Sequence, residues 1–246
     1  MKISDININQ IYHTSHCGST LMATLLAHST TVYSEPSWTN NLIFNEELQL
    51  TEDFNNIVIK FGSGYCPFSN NIPGKKIFLY RKLKHHLFKI KSSSYVESII
   101  LSKYEHYLKN CHPSLNPDQF KTDLEKIAFI WLNNIQSIKD NKDVVWIESN
   151  DFLRNKKQTM DMVCDYFEID RIKDFELSNV YVKSLGINGK DTSVNEIVLP
   201  IQGTMKTLYP SFGIVEDDLC DQCSEINDLI SWVKQEMSNI SNNILG

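Results

Sequence analysis

Residues 11–26 (IYHTSHCGSTLMATLL) run from an apolar, β-prone stretch through a turn of small and hydroxyl residues straight into a helix-forming stretch. A strand feeding directly into a helix is the start of a parallel crossover unit, so it points to an α/β chain rather than a helical bundle or an all-β sandwich. Such a turn aims several backbone N–H groups and a helix N-terminus at one point, which suits a phosphate-like anion. Gly18 permits close backbone approach, and Ser19 and Thr20 add hydroxyl donors. The stretch is not a nucleotide-triphosphate loop: the pattern GxxxxGK[ST] is absent and no lysine precedes the Ser-Thr pair. An ordinary Ser/Thr-capped helix is the plainer alternative for the same residues.

The rest of the chain alternates in the same manner. Candidate strands are Ile8–His13, Asn56–Phe61, Lys76–Tyr80 and Val144–Glu148, each rich in β-branched or aromatic residues and ending where polar residues begin. Candidate helices are Ser19–Ala27, Tyr95–Asn110, Thr159–Phe167 and Asp218–Ile240, with another from an Asn116 cap and Pro117 to about Ser137. Residues Tyr181–Phe212 read as loop-rich because of Gly186, Gly189, Gly203, Pro200 and Pro210. No repeat or linker divides the 246 residues, so a single domain over 1–246 is expected.

Composition narrows the function classes. With 24 Lys+Arg against 30 Asp+Glu the net charge is −6, which argues against a general nucleic-acid binder. No apolar run reaches the roughly 18 residues of a membrane span, and no signal-peptide core opens the chain, so a cytoplasmic protein with no membrane partner is expected. Six dispersed cysteines read as reduced thiols, and Cys220–Cys223 is a lone CxxC without a second pair at zinc spacing. The charge is uneven: residues 71–96 hold seven Lys/Arg and no acid, leaving −13 on the remainder. Such a concentration fits one compact polyanion, with a solvated basic helix face as the alternative.

Four blocks in order resemble the sulfotransferases that use 3′-phosphoadenosine 5′-phosphosulfate (PAPS). His16-Cys-Gly-Ser-Thr-Leu21 followed by Val32-Tyr-Ser-Glu-Pro36 is similar to the 5′-phosphosulfate loop with its downstream glutamate. Ile57–Lys60 resembles the second strand ending in Lys, and Lys75–Arg81 the 3′-phosphate strand ending in Arg. Val144–Leu153 with Thr159–Asp170 resembles the later strand and helix, so the likeness spans roughly residues 8–175.

The resemblance implies a P-loop NTPase-like three-layer α/β fold, with a mainly parallel central sheet flanked by helices. It also implies transfer of a sulfuryl group from PAPS to an acceptor hydroxyl, with adenosine 3′,5′-bisphosphate as product and no metal. Glu35 matches the glutamate base of the tyrosylprotein and glycan enzymes. His16 stands where the family has Lys or Arg, and with Lys60 it would offset charge on the transferring group. Cys17, Gly18, Ser19 and Thr20 would cradle the phosphosulfate, and Arg81 would pair with the 3′-phosphate. Lys89 falls where the family has Ser, Gly62 where cytosolic members have a catalytic His, and the Arg-Lys-Gly nucleotide loop is missing, with Lys183 or Lys190 as substitutes. From the residues alone, Lys89 reads as a solvated helix lysine, His85 and His86 as surface residues, His13 as a possible wall of the site, and Glu148 as a structural carboxylate. The tryptophans read as core or pocket walls. The acceptor would be a small-molecule, glycan or peptide hydroxyl, and the oligomeric state is not encoded legibly. A P-loop phosphotransferase needing Mg²⁺ and a non-catalytic nucleotide-binding or interaction protein are the rival readings.

Overall fold

Successive side chains on a strand point to opposite faces, and the central strands here are apolar on both. On β1 (Asn9–His13) and β4 (Lys76–Tyr80), Ile11, Ile77 and Leu79 enter one core while Tyr12, Phe78 and Tyr80 face another. A sheet apolar on both faces needs helices on both, and that is the layering observed.

The computed structural model describes residues 8–14, 16–34, 57–61, 73–91, 101, 104, 120–138, 141–173, 175, 181–185 and 194–198. The remaining strands are β2 (Val32–Ser34), β3 (Val58–Lys60), β5 (Val144–Glu148), β6 (Tyr181–Leu185) and β7 (Val194–Val198). They form a seven-stranded sheet in the order β5-β4-β1-β3-β2-β6-β7 among the described residues. All pairings are parallel except β6 with β7.

Helices α1 (Ser19–Leu26), α4 (Ser149–Arg154) and α5 (Lys156–Phe167) cover one face, with Leu21, Leu25, Phe152, Val163 and Phe167 buried against Ile11 and Ile77. On the other face, α2 (Leu83–Lys91) and α3 (Asp123–Ile138) pack Leu87, Ile90, Ile127 and Trp131 over Phe78 and Val144.

Strands β1, β4 and β5 fall at or within a residue of their expected bounds. β3 is shorter than Asn56–Phe61. The helix expected from Pro117 begins at Asp123 instead, since 120–122 are not helical and Asn116 and Pro117 lie outside the described residues. A capping box sets this start: Thr122 Oγ1 accepts from Glu125 N at 3.2 Å, and Glu125 Oε2 accepts from Thr122 N at 3.0 Å. The helix expected from Thr159 starts earlier, at Lys156.

The loop-rich reading of 181–212 needs correction, because β6 and β7 form an antiparallel pair there. Gly186 and Gly189 fall between the two strands in sequence and, with Gly203, Pro200 and Pro210, lie outside the described residues. Of the Tyr95–Asn110 helix, Leu101 and Tyr104 are described and helical. The Asp218–Ile240 helix, with Cys220 and Cys223, lies outside the described residues.

Candidate functional site

The sheet order reverses at β1, with β3 and β2 on one side and β4 and β5 on the other. In an open α/β sheet a crevice forms beyond the carboxyl ends of the strands at such a switch point. The 14–20 turn leaves β1 there.

Two residues of this turn have left-handed backbones, His16 at φ 56° and Gly18 at φ 90°, with Cys17 between them outside that region. Alternating hand along successive residues curls backbone N–H groups toward one point. Gly18 is the N-cap of α1, and no side chain caps that helix. The first amides of α1 have no intrahelical acceptor; that of Ser19 is directed at the Cys17 thiol, and those after it lie at the crevice. This is a cradle of backbone amides rather than a side-chain-capped helix start.

Two buried cations meet it. Lys60, the last residue of β3, is 1% exposed and donates from Nζ to Thr20 Oγ1 at 3.2 Å. Arg81 follows β4 and is 3% exposed. Its backbone N donates to Thr14 Oγ1 at 3.1 Å, its carbonyl accepts from Trp131 Nε1 at 2.8 Å, and its Nη2 donates to Ser149 Oγ at 3.2 Å. Ser149 Oγ in turn donates to the carbonyl of Cys17 at 2.7 Å.

The Cys17 thiol senses the same surroundings. Burial pushes it up to about 11, against the opposing pull of the Ser19 amide and the positive charges of Arg81 and Lys60. Cys17 is therefore a neutral wall of the cradle and not a nucleophile at neutral pH.

The structure thus brings together Cys17, Gly18, Ser19, Thr20, Lys60 and Arg81, with His16 in the same turn. Glu35 lies outside the described residues; it follows Ser34, whose backbone pairs in register with Lys60. Gly62 and Lys190 are also outside them, while Lys183 is on β6, paired in register with Tyr33 of β2.

Two expectations about exposure are overturned. Lys89 is 8% exposed on α2, not a solvated lysine. His86 is buried, whereas His85 is half-buried, with Nδ1 3.1 Å from Asn150 Nδ2. Both histidines sit on the helix that follows Arg81, and its inward face is set by packing over Phe78 rather than by residue polarity.

His13 is buried, with Nδ1 2.9 Å from the Thr14 carbonyl. Glu148 is structural, capping α4 by accepting from Asp151 N at 3.3 Å. Trp131 is core, as expected, while Trp38 and Trp232 lie outside the described residues.

The basic segment does not form one cluster. Lys75 pairs with Glu168 at 2.7 Å and Lys76 donates to the Gly74 carbonyl at 3.4 Å, both at the amino end of β4. The five residues of β4 separate them from Arg81 by about 16 Å.

Sequence reasoning missed Ser149, Thr14 and Asn150. Their signal was faint: small polar residues immediately after a strand of a predicted parallel sheet. Among the described residues no three His, Cys, Asp or Glu are grouped to hold a metal ion, and no helix is long and apolar enough to cross a membrane.

A mainly parallel α/β sheet with helices on both faces and a strand–turn–helix at its switch point is an α/β fold of the P-loop-like class. No family model and no curated protein sequence matches the chain. Among solved structures, mouse sulfotransferase SULT7A1 complexed with PAP is similar over 100% of this chain and 93% of that one, with TM-score 0.53 and 11% identity. The sulfotransferase domain from the curacin biosynthetic pathway covers 93% of this chain and 98% of that one, at 15% identity and TM-score 0.45. The fold of this chain is the sulfotransferase fold.

Proposed function

We propose that the chain is a PAPS-dependent sulfotransferase. The observation that carries this reading is the convergence of Lys60 and Arg81, both buried, on an uncapped, glycine-started helix N-terminus. Buried cations are costly unless they face an anion or hydrogen-bonding partners, and two of them beside a backbone cradle fit a ligand with two anionic groups. The PAP named with the SULT7A1 structure is such a ligand.

In this scheme the amides and hydroxyls of Cys17–Thr20 hold the 5′-phosphosulfate, and Arg81 binds the 3′-phosphate, with Lys89 and Lys183 contributing. Glu35 takes the proton from the acceptor hydroxyl, whose oxygen forms a new bond to sulfur. The bond from sulfur to the bridging oxygen breaks, and adenosine 3′,5′-bisphosphate leaves. His16 and Lys60 offset negative charge gathering on the bridging and sulfuryl oxygens. The in-register pairing of Ser34 with Lys60 supports Glu35 as base, since Glu35 is next in the sequence. No step of the scheme uses a metal. The acceptor is a hydroxyl of a small molecule, glycan or peptide, and the protein acts in the cytoplasm.

Calorimetric titration with adenosine 3′,5′-bisphosphate, with Mg²⁺–ATP as control, tests the donor. Binding of the bisphosphate at micromolar concentration is expected, whereas binding of Mg²⁺–ATP alone would favour a phosphotransferase. Glu35→Gln should keep that binding while abolishing transfer of labelled sulfate from PAPS. Unchanged turnover in this variant removes Glu35 from the role.

A further inference from the structure

We infer that Ser149 is a positioning residue that locks the 3′-phosphate arginine to the phosphosulfate loop, so that the two anion subsites are held in fixed relation. The inference rests on the donor reading above. Ser149 is the first residue of α4, fully buried, and 132 residues from Cys17 and 68 from Arg81 in sequence.

A serine hydroxyl has one proton to donate and lone pairs with which to accept. Here the proton goes to the Cys17 carbonyl at 2.7 Å, so the oxygen can only accept from Arg81 Nη2, at 3.2 Å. The polarity of the relay is therefore set: guanidinium to hydroxyl to loop carbonyl.

The Cys17 carbonyl belongs to the turn whose amides form the cradle. Its orientation and the direction of the following peptide N–H are linked by the planar peptide. Arg81 has its backbone held by Thr14 and Trp131, so Ser149 supplies a restraint on the guanidinium itself. Thr14 ties the turn to the arginine's backbone, whereas Ser149 ties it to the guanidinium.

Removing the hydroxyl takes away the guanidinium's hydrogen bond to Ser149, while the turn stays tied to the Arg81 backbone through Thr14 and to Lys60 through Thr20, so the loss should fall on ligands that carry a 3′-phosphate. The test measures displacement of a fluorescent adenosine 3′,5′-bisphosphate, which reads constants into the millimolar range. Unlabelled adenosine 3′,5′-bisphosphate and adenosine 5′-phosphate compete on the unaltered chain, Ser149→Ala and Ser149→Thr.

Ser149→Ala is expected to weaken the bisphosphate about tenfold, as for one lost charge-assisted hydrogen bond, and adenosine 5′-phosphate less than twofold. Ser149→Thr, which keeps the hydroxyl, should stay within about threefold for both. Equal losses for the two nucleotides, or no loss for either, overturns the role while leaving the donor reading intact. Failure of the unaltered chain to bind the bisphosphate removes the donor reading and the Ser149 role together. If thermal melting shows that Ser149→Ala does not fold, Ser149→Cys replaces it, since a thiol of similar size is a weak donor and the same ratio decides.

Discussion

Two glycines with positive φ separate backbone strain from steric exclusion. At Gly18 (φ 90°) an added Cβ would meet nothing nearer than Phe152 Cε1 at 3.5 Å, an ordinary contact. The cost of Gly18→Ala is therefore the left-handed backbone alone, about 1–2 kcal/mol. At Gly74 (φ 123°) the Cβ would lie 2.0 Å from the Ile8 carbonyl oxygen and 2.9 Å from the Ile8 nitrogen. Those atoms cannot step aside cheaply. Ile8 N donates to Pro73 O at 3.2 Å and Gln10 N to Lys75 O at 2.8 Å, which bind the two segments together on either side of the contact. Gly74→Ala must break that crossing, at about 3 kcal/mol or more from two lost backbone hydrogen bonds added to the strain. For a chain of this length each kcal/mol moves Tm by about 2–4 °C. Differential scanning calorimetry should then show Gly18→Ala lower by about 2–8 °C, and Gly74→Ala lower by more or failing to fold. Binding should invert the order: Gly18→Ala, within the cradle, weakens adenosine 3′,5′-bisphosphate, whereas Gly74→Ala protein that remains folded binds it normally. A Gly18→Ala loss of Tm equal to or greater than that of Gly74→Ala would refute the reasoning.

Two further outcomes follow from the buried groups of the site. Lys60→Met should weaken adenosine 3′,5′-bisphosphate at least about tenfold in titration, since it removes a buried charge beside Thr20; an unchanged affinity would place Lys60 outside the cradle. The Cys17 thiol is raised from 9.0 to about 11 in the folded chain. A raised folded pKa means that its stabilising share is complete below pH 9 and lost as pH climbs through 11, about 2–3 kcal/mol in all. Urea unfolding at pH 8 and at pH 11 should therefore show a steeper loss for the unaltered chain than for Cys17→Ala, and parallel losses would contradict the burial argument.

The strands were legible because a buried parallel strand is a short apolar run bounded by polar residues, a signal carried locally by residues such as 76–80 and 144–148. The three-residue β2 is too short for such a signal, and β6 (YVKSL) and β7 (VNEIV) each hold two consecutive polar residues, giving neither a continuous apolar run nor a strict alternation. The α3 start was readable as Thr122-Asp-Leu-Glu125, yet Asn116-Pro117 offered a competing and equally local start. In the site, the turn at 16–20 and the strand-ending Lys60 and Arg81 could be named from type and position. Ser149 could not, because a serine after a strand has no chemistry until its neighbours are known.

By itself the sequence determined that a strand–turn–helix would present backbone amides at a sheet edge, with a lysine and an arginine each ending a further strand. Local propensity and periodicity suffice for that, since each element is specified by its own residues. Only the tertiary structure decided which cations serve the crevice. It sent Lys75 and Lys76 to the far end of β4, buried Lys60, Arg81 and Lys89, and drew Ser149 between Arg81 and Cys17. The physical reason is that charge and polarity predict exposure only on average. A buried cation is tolerated where distant segments bring it hydrogen-bond acceptors, as Thr20 does for Lys60 and Ser149 for Arg81, and that company is a property of strand order and helix packing.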